Sequence, residues 1–273
     1  MPQPLWTPTA ARVEAAAVTD FRRAVEVQWS VNLADSKALW KFSTDEIEKF
    51  WVSVWDYAGV IAETRGQRVL IDADKMPGAK WFPDARLNFA ENLLRRRDDG
   101  EAVVFQGEAA ITRRISFREL YDQVSRLSQA LAALGIGPGD RVAGYLPNMP
   151  EALIAMLAAS SLGAVWSSCS PDFGVQGVLD RFSQTEPKVL FCTDGYWYNG
   201  KRHDVRAKTA EIVAQLPSVQ KTVLIPYGDQ PAELGPLETA VLVEDFVKPY
   251  GVQEIAFTRL PFEHPLYIMF SSG

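Results

Sequence analysis

The sequence predicts an α/β protein with a doubly wound, largely parallel sheet that has helices on both faces. Between residues 102 and 225, short apolar segments alternate with helical segments of ten or more residues. Such spacing requires parallel pairing, because a short hairpin cannot return the chain in the same direction. Residues 189–191 and 223–225 are also continuously apolar, as strands are when helices cover both of their faces.

Each element of this sheet has its own signal. The clearest helix signal lies before the sheet, at Ser43. Within the sheet region, a helix begins at a capping box, in which Ser116 and Glu119 each satisfy the other's backbone N–H, and it ends at Gly135, a residue suited to a left-handed cap. Further helices are predicted over residues 151–162, 174–185 and 205–215. The predicted strands span residues 102–105, 141–146, 163–167, 188–192, 222–225 and 266–270. The last of these carries the chain back into the core.

A helical, tryptophan-rich extension precedes the sheet. Six of the eight tryptophans lie within residues 1–85, which we assign to an N-terminal extension, with the sheet assigned to residues 86–273. A second capping box is predicted at Ser43 and Glu46. The helix that it opens carries its apolar residues at i, i+3, i+4, i+7 and i+8, on one stripe. That stripe consists of Ile47, Phe50, Trp51, Val54 and Trp55.

Composition excludes several classes of protein. The chain has 273 residues, 28 basic and 34 acidic, for a net charge of −6 without a block of like charges, so nothing indicates a nucleic-acid partner. No apolar segment is long enough to span a bilayer, and the N-terminus lacks the features of a signal peptide. Cys169 and Cys192 have no metal-ligand spacing to either histidine and are interpreted as buried thiols. These features predict a cytoplasmic protein.

Three catalytic or nucleotide-binding motifs are considered and set aside. Residues 195–201, GYWYNGK, have the spacing of a Walker loop, but Arg202 stands where magnesium coordination needs Ser or Thr. Residues 135–139, GIGPG, follow a helix, whereas a dinucleotide fingerprint follows a strand. No GxSxG motif is present, so nothing indicates a nucleophile elbow.

Two short segments remain as candidate anion sites. Ser271, Ser272 and Gly273 follow the last strand, and ligands of open α/β sheets bind beyond the carboxyl ends of the strands. Small residues there let backbone N–H groups approach a phosphate; an ordinary strand-to-turn junction is the alternative that three residues alone favour. Lys201 and Arg202 are two cations on a glycine turn, and a solvated loop is the competing interpretation.

Four motifs in the same order resemble the acyl-CoA synthetases of the acetyl-CoA and acetoacetyl-CoA type, within the adenylate-forming superfamily. Residues 81–94, WFPDARLNFAENLL, resemble the entry segment of that family, and together with residues 5–8, LWTP, they resemble its acetoacetyl-CoA branch most. Residues 145–151, YLPNMPE, and 163–166, GAVW, resemble its early core motif. Residues 267–273, YIMFSSG, resemble the first half of its phosphate loop.

The resemblance implies an acid–thiol ligase. In that family a carboxylate such as acetoacetate attacks the α-phosphorus of ATP, pyrophosphate leaves, and the thiol of CoA displaces AMP from the acyl-adenylate. The resemblance places Ser271, Ser272 and Gly273 on the ATP phosphates. It places Gly200, Lys201 and Arg202 on the phosphates of CoA, although Tyr198 or Asn199 replaces the first arginine of the family's pattern. The loop of residues 168–171 lies near the family's CoA channel. The implied ligands are ATP, CoA and Mg²⁺, with small-molecule partners only.

By the same comparison the domain is incomplete, because the magnesium carboxylate, the acyl pocket and the catalytic lysine of the family would follow Gly273. The chain alone is therefore expected to be inactive, with no catalytic residue of its own and with residues 267–270 as an unpaired, apolar edge strand. Three alternatives stay open: an acetyl- or propionyl-type synthetase, a non-catalytic binding module, and an unrelated α/β oxidoreductase. The last is disfavoured because GxGxxG follows no predicted strand.

Overall fold

Two compact units make up the chain, residues 1–85 and residues 86–273. The structure is a computed structural model, and it describes residues 4–108, 111–228 and 233–271. The sequence assigned the same two ranges to an extension and a domain. That each range is a separate domain stays a prediction.

The first unit is helical, with one short antiparallel ladder. Its elements are α1 (Ala10–Glu14), α2 (Ala17–Trp29), α3 (Ser36–Asp45), α4 (Ile47–Ala58), β1 (Leu70–Ile71) and β2 (Lys80–Trp81). Val25, Leu33, Leu39 and Phe42 form its buried centre. The Trp29 indole N–H donates to the Ser53 hydroxyl at 2.7 Å, joining α2 to α4. Apolar packing and side-chain hydrogen bonds such as this one therefore hold the helices of this unit together.

The capping box predicted at Ser43 and Glu46 is wrong. Ser43 lies inside α3, where its hydroxyl donates to the Trp40 carbonyl oxygen at 2.7 Å. That helix has its own N-cap, because the Asp35 carboxylate accepts the Ala38 amide at 2.8 Å. With Asp35 starting a helix eight residues earlier, Ser43 is no longer at a helix start. The following helix, α4, begins after Glu46 without a side-chain cap.

The second unit contains the sheet. Its elements are α5 (Phe89–Leu93), β3 (Glu101–Gln106), β4 (Thr112–Ser116), α6 (Phe117–Ala133), β5 (Arg141–Tyr145), α7 (Pro150–Ser161), β6 (Val165–Cys169), α8 (Val175–Thr185), β7 (Val189–Thr193), β8 (Gly195–Tyr198), β9 (Lys201–Asp204), α9 (Arg206–Ala214), β10 (Lys221–Ile225), β11 (Val241–Leu242), α10 (Val243–Val247) and β12 (Tyr267–Ile268). The capping box at Ser116 and Glu119 is present and opens α6 as predicted.

Six strands form one parallel sheet in the order β11-β10-β7-β5-β6-β12. The chain starts at β5, adds β6 on one side, then crosses to add β7 and β10 on the other. This reversal beside β5 is the topological switch of a doubly wound sheet, and ligands of such sheets bind at the carboxyl ends of the strands there. The predicted fold class is confirmed.

Helices cover both faces of this sheet. Along β7, Val189 and Phe191 belong to the apolar cluster that also contains α6 and α7, whereas Leu190 belongs to the cluster on the side of α8 and α9. Successive strand residues point to opposite faces, so a strand buried on both faces must be apolar throughout. That requirement is why residues 189–191 could be assigned as a strand from the sequence.

The last strand, β12, lies at the end of the sheet. Residues Tyr267 and Ile268 pair in parallel with Trp166 and Ser167 of β6, and in the part of the chain that the structure describes β12 has a neighbour on one side only. Met269, which follows, is 84% exposed. The ladder is shorter than the predicted strand 266–270, and the expectation of an unpaired apolar edge stays a prediction.

A buried side-chain amide fixes the route of the chain towards that edge. Asn88, only 1% exposed, donates from Nδ2 to the carbonyl oxygens of Ser160 at 2.9 Å, Ser161 at 3.2 Å and Thr258 at 2.8 Å. Its Oδ1 accepts the Glu91 amide and caps α5. One side chain therefore joins the start of α5, the end of α7 and the segment that leads to β12.

Neighbouring contacts reinforce the same junction. Leu87 and Leu260 exchange two backbone hydrogen bonds, of 3.2 and 2.9 Å, and the Glu91 carboxylate accepts from Arg259 at 2.7 Å. From here on, the entry segment means residues 86–92 only, the central part of the longer segment 81–94. It holds the chain near residue 259 against α7.

Within the described residues, none of the helices is long and apolar enough to cross a membrane.

We predict that Asn88→Ala lowers the free energy of unfolding by about 2–4 kcal/mol, because it removes several buried hydrogen bonds at once. Urea unfolding followed by circular dichroism measures the change. Asn148→Ala is the matched control, since Asn148 is exposed in the same unit and should cost less than about 0.5 kcal/mol. Equal losses in the two variants would contradict the assignment.

Candidate functional site

The candidate site lies at the carboxyl edge of the sheet, where β12 ends beside β6. The Ser167 hydroxyl, buried in β6, donates to the Ile268 carbonyl oxygen at 3.0 Å and fixes the end of β12. Ser271 follows three residues later and is exposed. Ser272 and Gly273, the other two residues predicted to bind ATP phosphates, lie outside the described residues. Of the predicted phosphate loop, the structure thus places Ser271 at the expected edge.

A cation lies beside this strand end. The Arg181 guanidinium carbon is 4.3 Å from the centre of the Phe173 ring and 5.6 Å from that of Phe270, the residue before Ser271. Its Nη1 donates to the Gly177 carbonyl oxygen at 2.7 Å, and within residues 4–108, 111–228 and 233–271 it forms no ion pair. Its positive charge is therefore free to act on an anion at this edge.

Sequence reasoning missed Arg181. Its position on α8 is unremarkable in an amphipathic helix, and only the loop before the helix together with β12 gives it two aromatic partners. A cation held over aromatic rings is attracted by their π faces. The available signal was weak: an arginine eight residues after Phe173, on the helix that follows a predicted ligand-binding loop.

Two side chains from other elements donate hydrogen bonds to the backbone of the β6–α8 loop, residues 170–174. The Tyr145 hydroxyl lies 3.0 Å from the Pro171 carbonyl oxygen and 2.8 Å from that of Phe173. The Lys208 ammonium donates to the Pro171 carbonyl oxygen as well, at 2.9 Å. Burial raises the pKa of the Tyr145 phenol, so it remains a proton donor to the loop. Two donors thus fix the loop's backbone beneath the site.

A carboxylate joins this loop to the next strand pair. Asp172 accepts from the Tyr196 hydroxyl at 2.6 Å and from the Ser170 hydroxyl at 2.9 Å. The bond from Tyr196 is the main cause that holds the pKa of Asp172 below its usual value. Burial, followed by that same bond, raises the pKa of Tyr196 to about 12. Asp172 is therefore an anion, and Tyr196 a neutral donor, at neutral pH.

Residues 195–204 form a hairpin of β8 and β9 rather than a Walker loop. Asn199 and Gly200 are its two turn residues, with φ angles of 52° and 72°, the left-handed pair that a type I′ turn requires. We refer to these two residues as the hairpin tip. Because a strand pair, and not a helix, follows the glycines, the structure agrees with setting the GxxxxGK spacing aside.

Asp194 fixes the base of the hairpin. Its carboxylate, on a residue 8% exposed, accepts from the Arg202 guanidinium at 2.6 Å and from the Tyr227 amide at 2.8 Å. Arg202 is therefore neutralised within the hairpin. Lys201 is exposed and has no ion-pair partner among residues 4–108, 111–228 and 233–271. Of the two cations singled out in the sequence, Lys201 is the one available to a ligand.

The hairpin tip presents two backbone donors. The Asn199 amide donates to Glu108 Oε1 at 3.0 Å, and the Gly200 amide donates to Glu108 Oε2 at 2.7 Å. Two adjacent backbone donors suit an oxyanion, and Lys201 follows Gly200 directly in the chain. No pattern in the sequence indicates a role for Glu108, which lies 91 residues from Asn199 along the chain.

Two other kinds of site, a metal centre and a separate cavity, are not connected with the predicted ligands. Within the part of the chain that the structure describes, no three His, Cys, Asp or Glu side chains lie close enough together to hold a metal ion. A cavity of about 600 Å³ lies between α6, α7 and α10, lined by Arg113, Glu151, Leu127, Ile154 and Val247 among others. None of the residues predicted to bind ATP or CoA lines it.

Comparison with known proteins then identifies the family. A family model described as AMP-binding enzyme matches residues 89–273. The chain belongs to the AMP-binding enzyme family. A second model, described as acetyl-coenzyme A synthetase N-terminus, matches residues 36–93, so the match to this family begins within the first unit.

Several relatives in the comparisons share one name. An acetoacetyl-coenzyme A synthetase of Rhizobium meliloti is 48% identical over 272 residues, 99% of this chain and 41% of the relative. An acetoacetyl-CoA synthetase of Danio rerio is 40% identical over 98% of this chain and 41% of its own length. The structure of an acetoacetyl-CoA synthetase from Streptomyces lividans superposes with a TM-score of 0.90 at 41% identity, covering 100% of this chain and 42% of that one.

These matches confirm the family resemblance stated from the sequence. They also show that the chain spans about two fifths of the length of the curated relatives that it matches. The AMP-binding model begins at Phe89, inside the entry segment, so the Asn88 junction lies where the family's own domain starts.

We predict that both cysteines resist thiol reagents in the native chain. Burial raises the pKa of Cys169 to about 11 and also raises that of Cys192. A higher thiol pKa keeps the proton bound, so at pH 8 the thiolate fraction of Cys169, and with it the rate, should be on the order of a hundredfold below that of a free thiol.

Reaction with Ellman's reagent at pH 8, with and without urea, measures this difference. The rate at Cys169 should rise about tenfold per pH unit up to the folded pKa. A Cys192→Ser variant isolates Cys169, and fast labelling of the native chain in that variant would show that the thiol is not shielded.

Proposed function

We propose that this chain is part of an acid–thiol ligase that converts acetoacetate, ATP and CoA to acetoacetyl-CoA, AMP and pyrophosphate. The observation that carries the proposal is the 48% identity, over 99% of the chain, with a relative named acetoacetyl-coenzyme A synthetase. The position of Ser271 at the carboxyl edge of a doubly wound sheet supports it, because this edge is where such sheets bind ligands.

The chemistry requires the protein to bring two anions together. A carboxylate approaching a triphosphate is repelled, so positive charge and N–H donors must surround the phosphates and hold them in line. We assign Ser271, Ser272 and Gly273 to the β- and γ-phosphates of ATP. Arg181, stacked on the residue before Ser271, adds positive charge to the same edge.

The hairpin suits the phosphates of CoA. Gly200 contributes a tip amide, Lys201 contributes a point charge, and Arg202 fixes the hairpin through Asp194. The donor set fits a phosphate because it already holds the two oxygens of a carboxylate. The β6–α8 loop, joined to the hairpin through Tyr196, forms the neighbouring wall.

Magnesium, when bound, neutralises part of the triphosphate charge. The described residues bring no carboxylate cluster together, and we assign no residue of this chain to the metal ion. The two free, buried cysteines are compatible with a reducing compartment such as the cytoplasm. We infer small molecules, rather than nucleic acid, as the partners of the site.

A second candidate function is a non-catalytic binding module. The hairpin tip, whose two amides bind a carboxylate, suits such a module because it binds an anion without any catalytic group. A synthetase specific for acetate or propionate is a third candidate, because the first-unit match is to acetyl-coenzyme A synthetases. Thioester formation distinguishes the ligase from the binding module. Competition between acetoacetate, acetate and propionate in a complete enzyme distinguishes the two kinds of synthetase.

We predict that the purified 273-residue chain does not catalyse acetoacetate-dependent exchange of pyrophosphate into ATP. The physical reason is that Ser271, Ser272, Gly273 and Arg181 would contact the triphosphate from one edge of the sheet only, which leaves much of its charge without a partner. Radiolabelled pyrophosphate measures the exchange, with a heat-killed sample as the baseline. Exchange above that baseline would mean that the chain contains a complete adenylation site.

We further predict a selective effect of Lys201 in a chimera that joins this chain to the part of the Rhizobium meliloti relative following the matched region. The chimera should form acetoacetyl-CoA. Lys201→Gln should raise KM for CoA by about tenfold, which corresponds to about 1.4 kcal/mol, because it removes a charge from a phosphate contact. Exchange of pyrophosphate, a step that does not use CoA, should stay unchanged.

Lys221→Gln is the matched control, since Lys221 lies at the amino end of β10, away from the carboxyl edge. If Lys201→Gln lowered the rate of pyrophosphate exchange by the same factor as it raised KM for CoA, Lys201 would be stabilising the fold and not binding CoA. A chimera that folds but forms no thioester would contradict the proposed function itself.

A further inference from the structure

A side chain of the protein already occupies the hairpin tip. The Glu108 carboxylate receives one hydrogen bond at each oxygen, from Asn199 at 3.0 Å and from Gly200 at 2.7 Å. Glu108 lies in the connection between β3 and β4, close to the Gly107 amide that donates to the Ile111 carbonyl oxygen. Two hairpins distant in sequence thus meet through this one carboxylate.

The geometry of the tip explains why it binds an oxyanion. Two successive residues with positive φ turn their backbone N–H groups to the same side and form a concave anion-binding nest. Each amide serves a different oxygen of Glu108, so the contact is bidentate. A phosphate group also offers two adjacent charged oxygens, and N–H donors bind either group by the same charge-assisted hydrogen bonds.

The charges around the hairpin tip favour replacement of the Glu108 carboxylate by a phosphate over permanent occupation of the tip by Glu108. Glu108 is exposed, and its carboxylate has no ion-pair partner in the described part of the chain. Lys201, next to Gly200, has none either. A phosphate at the two amides would meet Lys201, whereas it would be repelled by Glu108 if that side chain remained in place.

We propose that Glu108 is an internal competitor that occupies the hairpin tip and is displaced when a phosphate monoester of a nucleotide binds there. This inference rests on the proposed function in one respect, the identity of the ligand as the phosphate-bearing nucleotide end of CoA. The contact lowers the apparent affinity for that ligand by the fraction of molecules in which the tip is open. Glu108 thereby sets the CoA concentration at which the site fills.

The test uses the 273-residue chain labelled with [15N]glycine and the probe adenosine 3′,5′-bisphosphate. The chain contains 18 glycines, and the Gly200 signal is assigned by its loss in Gly200→Asn, a substitution that tolerates positive φ. Glu108→Gln removes the competing charge. Glu101→Gln is the matched control, because Glu101 lies in the same β3–β4 hairpin, is exposed and pairs with Arg114 instead.

Glu108→Gln should move the Gly200 amide resonance and tighten binding of the bisphosphate by about three- to tenfold. Glu101→Gln, with the same change of net charge, should do neither. Adding Lys201→Gln to Glu108→Gln should reverse the gain. Unchanged signals from the other glycines establish that each variant is folded.

Two results would overturn the proposal. A Gly200 resonance that does not respond to Glu108→Gln would show that the contact is absent in solution. A shifted resonance with no gain in bisphosphate affinity would show that Glu108 does not compete. Both readouts are independent of thioester formation, so loss of the proposed ligase function in the chimera is a separate outcome from failure at the hairpin tip.

Discussion

The hydrogen bonds of the buried Asn88 amide determine where the candidate site is built. The last carbonyl oxygens of a helix have no partner within the helix, and at the end of α7 Asn88 supplies donors to two of them, those of Ser160 and Ser161. The same amide holds the Thr258 carbonyl oxygen. From there the chain reaches β12, and β12 carries Ser271 to the carboxyl edge. Together with the Leu87–Leu260 hydrogen bonds and the Arg259–Glu91 ion pair, this amide holds the incoming chain on the route that leads to β12.

The central sheet was predictable because its physical requirement is severe. Strands buried on both faces need apolar residues along their length, and β7 and β10 satisfy this over residues 189–192 and 223–225. The capping box at Ser116 succeeded because no other helix start competes with it. The one at Ser43 failed because Asp35 begins α3 earlier and places Ser43 inside that helix. Short-range motifs thus predicted a helix start only where the preceding segment was not already helical.

Less of the site could be predicted. Asn199-Gly200 is a strong signal for a two-residue hairpin, yet flanking aromatic residues and the GxxxxGK spacing directed attention to a loop. Glu108 and Arg181 act through contacts with residues far away in the sequence, at 91 positions for Glu108, and no local pattern encodes such a pairing. Asn88 was part of a motif that resembled the family, but its three acceptors became apparent only from the fold.

A continuous series of contacts joins the hairpin to the strand end that carries Ser271. Tyr196 of the hairpin donates to Asp172, and the neighbouring Phe173 stacks on Arg181, which also faces Phe270. Spatial continuity alone does not transmit a signal, because coupling requires an element with two discrete arrangements that both sites bias. The proposed exchange of Glu108 for a phosphate would provide such an element at the hairpin end. Under the proposed function, an effect of CoA at the hairpin on ATP at the strand end would have a route through Tyr196 and Asp172, whose hydrogen bond holds the β6–α8 loop to the hairpin.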